Sequence, residues 1–169
     1  MATRRIPILG HATTPDNSGD VFLEPYPIKA TNDVWGGLVV VFNDSGNRDG
    51  LRGWFSVPQD YVDTANLIVI WTAAVATAGD VEWDYDYRAV GGNDIESLDQ
   101  AGTQESVNAN DTAPSAVNER MEISIALTDG NFAVGDTVEF ELFRDGTDGG
   151  DTMSDAALLF GLEFEYADA

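Results

Sequence analysis

The chain holds no cysteine, one histidine and one lysine among 169 residues, and each scarcity closes off chemistry. Without cysteine there are no disulfides, thiolate nucleophiles or thiolate metal ligands. His11 stands in a proline-rich segment, and no serine sits in a G-x-S-x-G context, so a serine triad lacks both its base and its elbow. Long apolar runs are missing too. Residues 67–71 and 73–76 are separated by Thr72, whereas a membrane-spanning helix needs about 20 apolar residues. The opening MATRRIPILG offers a four-residue apolar run, too short for a signal-peptide core. The expectation is a soluble chain that leaves a cell by lysis or not at all. No stretch longer than about ten residues repeats apolar positions at the helical period.

Acid is abundant. Thirty Asp and Glu face eight Lys and Arg, giving a net charge of −22, and Asp outnumbers Glu by 20 to 10. Such a chain is repelled by phosphate backbones and by anionic membrane surfaces, which argues against nucleic acid and membrane as partners. Self-repulsion of this size weakens the compact state at low ionic strength and is screened within a few ångströms at molar salt. With lysine reduced to Lys29, the balance reads as adaptation to brine. The alternative is an ordinary acidic surface protein from a marine or mesophilic source.

What remains is a strand grammar. Val81, Trp83, Tyr85, Tyr87 and Ala89 alternate with Glu82, Asp84, Asp86 and Arg88; Met121, Ile123, Ile125 and Leu127 alternate with Glu122, Ser124 and Ala126. Val138, Phe140 and Leu142 alternate with Glu139 and Glu141, and Leu162, Phe164 and Tyr166 with Glu163 and Glu165. Period two with one apolar face marks antiparallel sheets. Residues 38–42 and 67–71 are continuous apolar runs and read as strands buried on both faces or covered by a partner, with residues 54–57 a further strand closed by Pro58. Turn residues such as Asn43-Asp44-Ser45-Gly46 and Asp129-Gly130-Asn131 separate them. The fold expected is all-β, an antiparallel β-sandwich of the jelly-roll type with about eight strands, ahead of an immunoglobulin-like one. Pro7, Pro15, Pro25 and Pro27 make residues 1–33 an extended N-terminal arm. It wraps its own domain (34–169) or reaches a neighbouring subunit. Residues 93–100 and 152–157 suggest single helical turns, and 99–116 a long polar loop.

Catalysis finds little support. Paired carboxylates serve glycosidases, but thirty acids make chance pairs, and Glu82, Asp84 and Asp86 read as a solvated sheet face offset by Arg88. A structural cation such as calcium has one candidate loop, where Asp145, Asp148 and Asp151 fall within seven residues beside glycines. A solvated acidic turn is the plainer reading, and no other cofactor is expected. Residues 45–50 approach an EF-hand start but lack its first Asp, and Ser56 stands where the closing Glu belongs. Trp71 and Trp83 lie in phase with apolar faces and belong to a core. Trp35 and Trp54, near strand ends beside glycines, are the aromatics placed to meet a sugar ring.

One ordered series goes beyond patterning: Trp54-Phe-Ser-Val-Pro-Gln-Asp-Tyr-Val62, Trp83-Asp-Tyr-Asp-Tyr-Arg-Ala-Val-Gly-Gly92, Glu96-Ser-Leu-Asp-Gln100, Ala113-Pro-Ser-Ala-Val-Asn-Glu-Arg-Met121, Asn131-Phe-Ala-Val-Gly-Asp-Thr-Val138 and Phe143-Arg-Asp-Gly-Thr-Asp148. It resembles a family of small β-sandwich virion proteins of tailed bacterial and archaeal viruses. The resemblance implies a capsid decoration (cement) protein on the virion exterior, a homotrimer bound to the major capsid protein, with no catalytic residues. With the salt signature it points to a virus of halophilic archaea. The alternatives are a tail, fibre or turret component and a carbohydrate-binding host-recognition module. The brine reading is checked directly: the melting temperature should rise between 0.1 M and 2 M salt, and equal stability in both would refute it.

Overall fold

The computed structural model describes residues 1–11, 14–15, 21–28, 35–92, 97–99 and 102–169, with backbone alone at 11, 14, 15, 24–28, 35 and 36. Eight strands make a double-layered roll: β4 (Trp35–Phe42), β5 (Arg48–Ser56), β6 (Tyr61–Ala73), β7 (Asp80–Val90), β8 (Glu105–Thr112), β9 (Met121–Ala126), β10 (Thr137–Asp145) and β11 (Ala157–Asp168). Their order is β4-β11-β6-β9 in one sheet and β5-β10-β7-β8 in the other, antiparallel throughout. Successive strands cross from sheet to sheet except at β7–β8, which is jelly-roll connectivity.

Three strands precede the roll. β1 (Thr3–Pro7) pairs with the C-terminal half of β11, on the edge whose other half pairs with β4. β2 (Thr14–Pro15) lies beside β5, and β3 (Val21–Ile28) closes the larger sheet beside β4. The first 28 residues thus wrap their own domain wherever they are described. Pro15, Pro25 and Pro27 all sit on strands at sheet ends, where a missing N–H costs no ladder bond.

The core lies between the sheets. Phe42 meets Trp83 edge-on at 5.3 Å, Trp83 meets Trp71 at 5.9 Å, and Phe132 stacks on Tyr87 at 5.0 Å. Trp71 donates its indole N–H to Asp111 Oδ2 at 2.7 Å, a bond between the two sheets. Alternation carries Val138, Phe140 and Leu142 inward and then Arg144, which is 1% exposed. Its guanidinium forks onto both oxygens of Asp151 at 2.8 Å, and it also donates to the carbonyls of Met153 and Asp155. The connection from β10 to β11 is thereby pinned to the buried end of β10.

Three departures from the sequence reading have physical causes. Residues 105–112, expected as loop, form β8, because Val107, Ala109 and Asp111 turn inward against β7 while Ser106, Asn108 and Asn110 face water. In β11 a bulge at Phe160 shifts the phase, so Leu159 and Leu162, three apart, both reach the core. Residues 152–156 carry no helical turn. Short 3₁₀ turns stand instead at Leu9–His11 and Asp129–Asn131, and the turn expected at 93–100 falls mostly outside the described residues. Gly79 is required where it is: its φ is +105°, and a β-carbon there would lie 2.6 Å from the Thr152 carbonyl oxygen.

Removing one member of the buried pair tests its weight. Asp151→Asn leaves the Arg144 guanidinium with only the part-exposed Asp44 carboxylate, 3.8 Å away, and should cost about 3 kcal/mol, read as a lower urea midpoint at unchanged slope. The double variant Arg144→Met/Asp151→Leu should recover much of that loss.

Candidate functional site

The two outer faces differ. On the larger sheet, Pro7, Leu9, Ile70, Phe160 and Leu162 line a shallow depression of about 480 Å³ with few groups to orient a ligand. The outer face of the smaller sheet is the reverse, a dense polar lattice around aromatic rings, and it is the better candidate.

Register lays that lattice out in rows. Trp54 on β5 opposes Glu139 on β10, which opposes Arg88 on β7. The next row runs Arg52, Glu141, Asp86, Ser106, and the next Gly50, Phe143, Asp84, Asn108. Arg48 then opposes Asp145, and Glu82 opposes Asn110. Trp54 is 55% exposed, the largest aromatic surface among the described side chains. Phe143 belongs to this face but is buried. Its ring lies over Gly50, where a β-carbon would come within 2.4 Å of it, and the Arg48 guanidinium covers it at 3.6 Å from the ring centre.

Arg48 also stitches the acids together. It donates to Asp84 at 2.8 Å and Asp86 at 2.9 Å, while Arg52 pairs with Glu141. The expectation of a solvated acidic row offset by Arg88 is therefore corrected. Glu82 is 3% exposed, Asp84 and Asp86 are largely covered, and Arg48 rather than Arg88 pairs with the two aspartates. Arg88 Nε instead donates to the Gly102 carbonyl at 3.0 Å. Burial pushes the Glu82 carboxyl up, helped by the charges of Asp148, Asp84, Asp145 and Asp151. Asp84 is also raised, burial outweighing Arg48.

The three proposed calcium ligands are placed separately. Asp151 is taken up by Arg144, Asp145 Oδ1 accepts from the Thr147 amide at 2.9 Å, and Asp148 Oδ1 accepts from the Gly150 amide at 2.7 Å. Among the described residues no three His, Cys, Asp or Glu side chains surround one point. Of the aromatics, Trp71 and Trp83 are in the core and Trp54 is exposed as expected, while the Trp35 and His11 side chains lie outside the described residues. Sequence reasoning missed Arg48 and Phe143. The available signal was Phe143 next to Leu142, an aromatic on the wrong phase opposite a glycine.

The fold and this face together define a class: a jelly-roll sandwich presenting an aromatic-centred polar sheet surface. Among solved structures the chain is similar to a family 35 carbohydrate-binding module of Paenibacillus barcinonensis (TM-score 0.53, 14% identity, 97% of this chain and 98% of that one). It is similar also to the C-terminal CBM6 of a marine laminarinase from Zobellia galactanivorans (0.51, 13%, 98% and 100%). A third is the GH26-CBM35 β-(1,4)-mannanase of Podospora anserina (0.52, 11%, 99% and 28%). No protein-family model and no curated protein matches the chain. At these identities the likeness is one of fold.

The buried Glu82 makes a pH prediction. Its folded pKa lies above its ordinary 4.5, so the native state holds its proton longer than the unfolded one, and stability is lost as pH rises through that window. In buffer with chelator, Glu82→Gln should melt with wild type near pH 4 and progressively above it towards neutrality.

Proposed function

We propose that the protein is a non-catalytic glycan-binding sandwich whose ligand lies across the outer face of the smaller sheet. The observation that carries this reading is Trp54, more than half exposed, with Glu139 opposite it, Arg52 and Glu141 in the next row and Arg88 one strand further on. A flat indole offers an apolar platform to the C–H face of a sugar ring. Planar guanidinium and carboxylate groups beside it exchange charge-assisted hydrogen bonds with hydroxyls. A chain of net charge −22 repels polyanions, so the favoured ligand is a neutral glycan rather than a uronate or sulfated one. The fold likeness to carbohydrate-binding modules supports the reading, and the resemblance to virion proteins supplies a setting in which a glycan of the host surface is recognised.

Decoration of a capsid is the second reading. It draws on an exposed apolar corner of β3 and β4, where Leu38 is 66% and Leu23 47% exposed with Phe22 nearby. Such a corner suits contact with a capsid protein or another copy of the chain.

Affinity electrophoresis in neutral polysaccharides, run at high salt, tests the first reading. Wild-type migration should be retarded by at least one of them, and Trp54→Ala should weaken binding about tenfold or more while its circular dichroism stays unchanged. Retardation that Trp54→Ala leaves intact, or none in any neutral glycan, would overturn it. A trimer that Leu38→Glu converts to monomer would speak for the second.

A further inference from the structure

Three polar side chains close on one point at the foot of the loop from β10 to β11. The position a β-carbon would take on Gly150 lies 2.3 Å from Asn110 Nδ2, 3.1 Å from Asp148 Oδ1 and 3.1 Å from Glu82 Oε2. Any side chain there would collide with the Asn110 amide. Glu82 Oε2 reaches it from β7, on a residue 3% exposed, and accepts no hydrogen bond there. A buried carboxylate oxygen without a partner is costly, and a second carboxylate aimed at the same spot makes it costlier. Either a proton or a cation must answer that charge.

We propose that Glu82, Asp148 and the side-chain amide of Asn110 form a calcium site that joins β7 and β8 to the loop at residues 146–151. The two carboxylates supply hard oxygen ligands, and water completes the six to eight that calcium takes. The amide of Asn110 presents its oxygen after a half-turn that leaves its shape unchanged. Calcium fits better than magnesium because the ligands come from a loop with Gly146, Gly149 and Gly150 and from two strands, a set that adjusts to a larger ion. The site is not the trio that spacing suggested. Asp148 belongs to it, through the Oδ1 that also accepts from the Gly150 amide, whereas both oxygens of Asp151 are held by Arg144 and Asp145 is shared between Thr147 and the Arg48 guanidinium 3.9 Å away. The ion would neutralise the charges that raise the Glu82 carboxyl. It would also fasten the exposed half of a loop whose inner half Arg144 already holds.

The test is calorimetric titration of calcium chloride into chelator-treated full-length protein in 1 M sodium chloride, which screens diffuse binding to the acidic skin. One saturable site per chain is expected, with Kd of about 10⁻⁴ M or tighter and a rise in melting temperature. Glu82→Gln should weaken binding at least tenfold, and so should Asp148→Asn on the exposed loop, a variant with no core contact to lose. Absence of saturable heat would overturn the proposal, as would many weak sites that neither variant changes. Equal binding of magnesium would overturn the assignment to calcium.

Discussion

The rest of the fold depends on a charge held where apolar residues would be expected. β10 and β11 are interior strands of their respective sheets, and the chain must pass from one to the other across the end of the sandwich. Arg144 governs that passage. It lies at the end of the inward row of β10, grips Asp151 with two bonds, and takes the Met153 and Asp155 carbonyls just before β11 begins at Ala157. Burying an ion pair is not itself a source of stability. Its value here is geometric, since the forked guanidinium accepts one arrangement of the loop and leaves others with a desolvated charge. Adjacent segments follow from it. Asp80 bonds to Thr152 and Met153, Gly79 closes on the same strip of backbone, and Gly146 bonds to Asn47 in the preceding turn.

A surplus of 22 negative charges sets the second constraint. Few cations are available, and apart from Arg120, which pairs with Glu122 along β9, most of them bridge between strands. Arg5 on β1 reaches Glu122 on β9 and Glu163 and Glu165 on β11, Arg48 on β5 reaches two aspartates of β7, and Arg4 holds Asp168 at the far end of β11. Exposed pairs of this kind each contribute little. Their placement still decides which carboxylates are left to solvent, to a proton or to an ion. On the outer face of the smaller sheet they leave Trp54 uncovered while Arg48 hides Phe143, so one aromatic of the two is offered to a ligand.

The fold was legible where side chains alternate strongly and opaque where pairing alone makes the strand. β7, β9 and β10 announce themselves, because large apolar residues on every second position have one place to go. β8 does not: Ser, Asn and Thr read as loop, and only the ladder with β7 and three small inward residues make it extended. The prolines of the N-terminal segment signalled edges correctly but gave no partner, since pairing of β1 with β11 spans the whole chain. At the site, Trp54 was legible from its strand-end position beside a glycine. Arg144 with Asp151, and Glu82 with Asn110, were not. The first pair closes a short loop and the second is set by the register of β7 with β8, and neither follows a helical or strand period.

The bulge at Phe160 amounts to a phase shift written into the last strand. Before it, odd-numbered Leu159 faces the core; after it, even-numbered Leu162, Phe164 and Tyr166 do. A single deletion at that point would remove the bulge and leave a strictly alternating strand, with those three large side chains still facing the core. Deleting one residue anywhere else in the strand would turn the side chains beyond the cut towards water. The final strand therefore tolerates loss of a single residue only at the bulge, and change in steps of two elsewhere.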